Sequence, residues 1–176
     1  KLWQDHLDGK DPALGIVPIS SDNKCKWGCI DIDTYPFDHK KFIQKLKEKI
    51  KDPSKITLLR HDISKPLPDS IPMVDVWIDR AVLHFLLEER EIEEYFRNLC
   101  SRVKVGGYVL FAEFAPDGAS MCAGLELHRY SVEEMVQRVG LDFVLIDQEE
   151  YDFINPFGDR RPYIYVLFKR SKAKKD

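Results

Sequence analysis

Residues 74–114, VDVWIDRAVLHFLLEEREIEEYFRNLCSRVKVGGYVLFAEF, set a β-rich run, an amphipathic helix and a second β-rich run in direct succession, and they limit the fold more closely than any other stretch. The runs VDVWI (74–78) and YVLFAEF (108–114) have the β-branched and aromatic character of strands. Between them, Ile92, Tyr95, Phe96, Leu99, Cys100 and Val103 recur at the spacing that puts side chains on one helical stripe. KVGG is expected to end that helix, because glycine accepts the left-handed backbone angles that terminate one. A strand that returns through a helix to another strand favours parallel pairing in a shared sheet.

The same pattern extends to both sides. ITLLR (56–60) reads as an earlier strand, and HDISKPLPDSIPM after it carries three prolines that exclude a helix. Downstream, SVEEMVQRVG reads as a helix with Ser131 as N-cap, Glu134 closing a capping box, Val132, Met135, Val136 and Val139 on one face, and Gly140 as the stop. FVLIDQEE and YIYVLFKR are two more strands, and YDFINPFGDRR between them is long enough to join antiparallel neighbours through a projecting loop. The expected class is therefore α/β: a Rossmann-like, mostly parallel sheet with an antiparallel C-terminal strand and helices on both faces.

Before residue 56, ALGIVPI (13–19) and KWGCIDID (26–33) are candidate strands around the turn SSDNK. FDHKKFIQKLKEKI follows as a helix with Phe42, Ile43, Leu46 and Ile50 inward. The chain is expected to divide into an N-terminal α/β unit, 1–52, and a region 53–176 with a basic tail. Its start, KLWQDHLDGKDP, has neither an initiator methionine nor the apolar core of a signal peptide, so it reads as a boundary with residues upstream.

Composition removes several function classes. Hydrophobic residues make up 44% and charged residues 32% of 176 residues, and no apolar run approaches the ~18 to 20 residues of a membrane span, so no membrane partner is expected. A net charge of −3 argues against a surface built wholly for nucleic acid; HKKFIQKLKEKIK and KRSKAKKD read as a solvated helix face and a chain end. Cys25, Cys29, Cys100 and Cys122 make no zinc-type pair of pairs. They read as reduced thiols in a cytoplasmic or other reducing intracellular compartment.

The segment from KITLLRHD through VDVWIDRAVLHFL and VGGYVLFAEFAPDG, continued by GLELHRYSVEEMVQRVGLDFVLIDQEE and YIYVLFKR, resembles the later part of a class I S-adenosylmethionine-dependent methyltransferase. The likeness covers roughly residues 55–170, about two thirds of the chain. It implies a doubly wound sheet with a reversed final strand and ligand beyond the carboxyl ends of the parallel strands. His61, Asp62 and Ile63 would then stand where this family holds the adenine, and Asp79, Arg80 and Ala81 beside the methionine part. The implied chemistry is methyl transfer to an unidentified small-molecule or macromolecular acceptor, with S-adenosylmethionine as cofactor and His84 the nearest candidate base. As a purely structural matter, His84 in AVLHFL also reads as a hydrogen-bonded core histidine, Asp79 and Arg80 as a strand-end pair, and Asp62 as a cap on the Pro-rich loop.

The sequence departs from that family in one respect. Gly9, Gly15 and Gly28 are the only glycines before residue 106 and none forms a G-x-G, so the usual glycine turn either lies outside the chain or has been replaced, with impaired cofactor binding as one consequence. The first 40 to 50 residues are instead similar to the opening of archaeo-eukaryotic-type primase domains, through ALGIVPI, DNKC and CIDID. That resemblance implies Asp31 and Asp33 on one strand face, holding magnesium or manganese for nucleotidyl transfer on nucleic acid. In the methyltransferase frame the same strand is the second of the sheet, and Asp31 or Asp33 occupies the acidic position that binds ribose hydroxyls. A third reading is a non-enzymatic module that keeps the sheet without the cofactor loop.

Overall fold

A computed structural model describes residues 44, 48, 59, 61–122, 124–154 and 158–171. The chain divides into two compact units, Lys1–Arg60 and His61–Asp176. In the first unit the described residues Gln44 and Glu48 are helical and exposed, as the reading of 37–50 requires. Of the strand expected over 56–60 only Leu59 is described, and it is exposed and in no strand; the other expected elements, and Asp31 and Asp33, lie outside the described residues.

The second unit is built from strand β1 (Val74–Arg80), helix α1 (Glu89–Arg102), strand β2 (Val103–Phe114), a small hairpin β3 (Met121–Cys122) and β4 (Leu125–Glu126), helix α2 (Val132–Val139), and strands β5 (Phe143–Ile154) and β6 (Arg160–Arg170). A 3-10 turn, Leu83–Phe85, sits between β1 and α1. The main sheet has the order β1-β2-β6-β5; β1 and β2 are parallel, while β6 is antiparallel to both β2 and β5. This is a Rossmann-like α/β fold with an antiparallel C-terminal end. The last strand is not the sheet's edge: β6 enters between β2 and β5, so its apolar residues are enclosed by strands on both sides.

Helix α1 forms where the apolar stripe is unbroken. Ile92, Tyr95, Phe96, Leu99 and the following Val103 are all buried, and Glu89 and Glu91 in the first turn favour the positive end of the helix dipole. Phe96 packs on Phe111 of β2 with ring centroids 6.0 Å apart, and Phe111 packs on Phe168 of β6 at 6.1 Å. Met135 and Val139 of α2 complete the same core. Each such side chain contributes roughly 1.5–3 kcal/mol on burial, so this stack fixes the sheet order.

Three local expectations need correction. KVGG does not form a stop outside the helix; β2 begins directly at Val103, and residues 104–107 form an irregularity where the β1–β2 register jumps from Val74↔Val103 to Val76↔Tyr108. Gly106 takes φ +83, and a Cβ on Gly107 would stand 2.8 Å from the Asp75 carbonyl oxygen, so the glycines serve a close strand approach. Ser131 caps α2 by accepting the Glu134 N–H at 3.2 Å, but Glu134 does not reach back to close the box. Its carboxylate is taken by His128 at 3.0 Å and Arg138 at 3.2 Å, partners the local sequence pattern could not show. Val136, expected inward, is 41% exposed.

The loop 61–73 is irregular, as its prolines demand, and is fastened by a residue outside the apolar stripe. Asn98 of α1 accepts the Leu67 N–H at 2.9 Å and donates to the carbonyls of Ile63 at 3.0 Å and Lys65 at 2.8 Å. Replacing a buried amide that satisfies three backbone groups leaves those groups unpaired. We therefore expect Asn98→Ala to lower unfolding free energy by about 2–3 kcal/mol in urea titration, with amide exchange rising first in 63–67. A change below about 0.5 kcal/mol would contradict the loop's dependence on Asn98.

Candidate functional site

Parallel strands end together on one edge of a sheet, and in open α/β sheets that carboxyl edge is where ligands bind. Here it is formed by the ends of β1 and β2. The chain leaves β1 through Ala81 at φ +61, the one positive-φ residue other than glycine among the described residues. Its N–H donates to the Ala112 carbonyl at 3.0 Å, so the strained turn is tied to the end of β2. An alanine in this region costs on the order of 1 kcal/mol, and such strain concentrates at functional turns.

Beneath the turn lies a buried polar cluster. Asp79 Oδ1 accepts the N–H groups of Val82 at 3.1 Å and Leu83 at 3.4 Å, capping the 3-10 turn. Its Oδ2 accepts the Tyr95 hydroxyl at 2.5 Å, and Trp77 Nε1–H donates to that hydroxyl oxygen at 3.0 Å. β1, the turn and α1 are thereby joined through one carboxyl group. On the neighbouring strand, Glu113 Oε2 and His84 Nδ1 stand 2.6 Å apart, both side chains fully buried, so a proton lies between them.

Burial, reinforced by the nearby Glu113 carboxyl, pushes Asp79 well above the ordinary carboxylate range. Burial likewise pushes Glu113 up to about 8, although the backbone N–H groups of His84, Ala81 and Val82 pull the other way. Two acids this close and this dry do not both ionise at neutral pH; they titrate as a pair. Tyr95 is held well above its ordinary value by burial and by Asp79. Burial therefore favours the neutral forms of both acids at the strand ends.

The expected site residues separate into two groups. Asp79, Arg80, Ala81 and His84 are gathered at the β1 end. His84 is 0% exposed, with its ring against Phe85 and Phe114 at 4.4 and 5.1 Å and its carbonyl accepting the His128 N–H at 2.8 Å. A ring so enclosed serves to position the turn. His61, Asp62 and Ile63 lie in the loop before β1. Asp62 Oδ1 accepts the Ser64 N–H at 3.0 Å and hydroxyl at 2.6 Å, bonds that hold its carboxyl below the ordinary range, as a loop cap would. His61 Nε2 approaches the carbonyls of Pro66 and Lys65 at 3.1 and 3.3 Å.

Sequence reasoning missed Glu113, Tyr95 and Asn98. An acid alone in YVLFAEF was a readable signal, because a charged residue in an apolar strand is rarely buried without a partner. The Tyr95 hydroxyl gave no such signal, since the residue fits the apolar stripe. Among the described residues no group of three or more His, Cys, Asp or Glu could hold a metal ion, and no helix is long and apolar enough to cross a membrane.

The pKa direction of Glu113 fixes a sign. Its folded value, about 8, lies above the unfolded value near 4.5, so the folded state holds a proton that the unfolded chain has already released. Stability attributable to this group is present below about pH 4.5 and is lost as pH rises through about 8. Asp79 and His84 hydrogen-bond with it, and its charge acts on Tyr95 and Tyr130. Urea unfolding between pH 5 and 8.5 should show a steeper loss of stability in the wild type than in Glu113→Gln, which keeps a hydrogen-bonding side chain without the ionisation. Parallel profiles would contradict a proton held at Glu113.

No family model matches the sequence, and no curated protein matches it. Solved structures do. The 1,6-didemethyltoxoflavin-N1-methyltransferase of Burkholderia thailandensis, with 1,6-didemethyltoxoflavin and S-adenosylhomocysteine bound, aligns at TM-score 0.57 and 13% identity over 74% of this chain and 56% of its own. The N-methyltransferase NodS of Bradyrhizobium japonicum, in complex with S-adenosylhomocysteine, aligns at TM-score 0.53 and 13% identity over 73% of this chain and 61% of its own. An S-adenosylmethionine-dependent methyltransferase of Clostridium acetobutylicum aligns at TM-score 0.52 and 12% identity over 75% and 72%. At these identities the likeness shows a shared fold. The chain spans less than two thirds of the length of the first two.

Proposed function

We propose that this chain forms the acceptor-side part of an S-adenosylmethionine-dependent methyltransferase site at the carboxyl ends of β1 and β2. The observation that carries the reading is the left-handed turn at Ala81, set at the end of a parallel strand and braced by buried, hydrogen-bonded acids. A small residue there lets a ligand approach the backbone closely, which is what a bound cofactor needs. The described residues fit such a group: the backbone of Asp79, Arg80 and Ala81 would meet its methionine part, and the backbone of His61 to Ile63, pinned by Asn98, its adenine. When bound, the cofactor supplies a methyl on a sulfonium, whose S–C electron pair stays on sulfur as the acceptor's lone pair forms the new bond.

The chain's own contribution is alignment. Asp79 and Tyr95 hold the turn, His84 and Glu113 fix it against β2, and Phe85 and Phe114 close the space beside them. No covalent protein intermediate is needed, and a proton on the acceptor can leave to solvent. The magnesium or manganese reading of Asp31 and Asp33 has no support from the described residues, and neither does the primase-like reading of the opening segment.

Isothermal titration with S-adenosylmethionine and S-adenosylhomocysteine tests the proposal. We expect both to bind with micromolar dissociation constants and the same affinity in EDTA. Absence of heat with folded protein would overturn the reading in favour of a module without cofactor.

A further inference from the structure

Glu113 is wholly buried near the end of β2, beside the turn by which the chain leaves β1. The parallel register pairs Asp79 with Phe111 and Arg80 with Ala112, so Glu113 stands one step further on, at the height of Ala81. Alternation along the strands puts Asp79 and Glu113 on the same face of the sheet. The Ala81 N–H is tied at 3.0 Å to the carbonyl of Ala112, the residue before Glu113. Two acids, exposed by 5% and 0%, thus flank the short backbone segment 79–81.

The 2.6 Å contact between His84 Nδ1 and Glu113 Oε2 holds a proton between two fully buried side chains. With that proton the pair is neutral, whether nitrogen or oxygen carries it; without it the pair bears one negative charge. The titratable groups within reach of the Glu113 charge are Asp79 of β1, His84 of the 3-10 turn, Tyr95 of α1, Tyr130 before α2 and Tyr163 of β6. Arg80 acts on Tyr163, and Glu134 and Arg138 of α2 act on Tyr130. In so dry a place a charge is felt over several ångströms without contact, because little water intervenes to screen it. A positive charge arriving beside 79–81 therefore favours loss of the shared proton.

We propose that the His84–Glu113 pair is a proton-linked counter-ion to the sulfonium: it gives its shared proton to solvent when S-adenosylmethionine binds and takes one back after methyl transfer. Charge and protons balance. The ligand brings one positive charge and the pair, losing one proton, supplies one negative charge. When the methyl leaves, the S–C electron pair stays on sulfur, which becomes neutral, and the anionic pair regains one proton from solvent. The pair acts across the backbone of 79–81, as a positioning group that touches neither ligand nor acceptor. S-adenosylhomocysteine, whose sulfur is neutral, draws no proton from it, so the site distinguishes cofactor from product by charge. This inference rests on the methyltransferase reading, because it needs the sulfonium at the end of β1.

Calorimetric titration of both ligands in buffers of different ionisation enthalpy counts the protons released per ligand bound. At about pH 7.5 the wild type should release about half a proton more with S-adenosylmethionine than with S-adenosylhomocysteine. Glu113→Gln should lose that excess. The ligands' own α-amino groups, which titrate near pH ~8, contribute alike to both proteins and drop out of the comparison. A second measurement needs no variant: in wild-type protein labelled with carboxyl-13C glutamate, the resonance that titrates near pH 8 should shift to its ionised position with S-adenosylmethionine and stay in place with S-adenosylhomocysteine. Equal proton release by the two ligands in the wild type, an excess that survives in folded Glu113→Gln, or an unmoved resonance overturns the proposal. If both ligands bind without the excess, only the counter-ion falls; if neither binds folded wild-type protein, the methyltransferase reading falls and the counter-ion with it.

Discussion

The buried carboxyl of Asp79 is the constraint on which the rest of this edge depends. A lone acid at 5% exposure would cost several kcal/mol if ionised and unpaired, so the structure must either neutralise it or surround it with donors. It does both. The Tyr95 hydroxyl and two backbone N–H groups meet its oxygens, while burial and Glu113 drive it toward the neutral acid. Because those donors come from α1 and from the 3-10 turn, satisfying one carboxyl fixes where the helix begins relative to the strand and where the chain turns out of β1.

That arrangement gives the strand-end surface its chemistry. With Asp79 and Glu113 held toward their neutral forms, the exposed charge at the end of β1 is Arg80, which lies over the rings of Tyr163 and Phe153. A sulfonium cofactor at this edge, as proposed above, would meet a turn held by hydrogen bonds, so its placement there would rely on shape and backbone contacts. Methyl transfer needs alignment more than general acid or base chemistry, and an enclosed His84 agrees with that economy of means.

Much of this was legible in the sequence because it depends on periodicity. The helical stripe from Ile92 to Val103, the parallel pair around it, the Ser131 cap and the antiparallel last strands follow from patterns that local chemistry imposes. What escaped depends on contacts between residues far apart in sequence. Asn98 is 35 residues from Ile63, and Glu113 is 29 from His84. The glycines of KVGG were correctly read as tolerating unusual angles and wrongly placed, since only the close approach of Asp75 shows that a strand needs them. The position of β6 inside the sheet was equally hidden, because antiparallel neighbours in sequence do not reveal which of the two meets β2.

The central claim, that Asp79 and Tyr95 act as one tie between strand end and helix, is most directly tested by a double-mutant cycle of Asp79→Asn and Tyr95→Phe read by urea unfolding at pH 7. The account predicts a coupling energy of about 1.5–3 kcal/mol, with the double variant losing far less than the sum of the singles. Additivity to within about 0.3–0.5 kcal/mol would show that the two groups act independently and would contradict it.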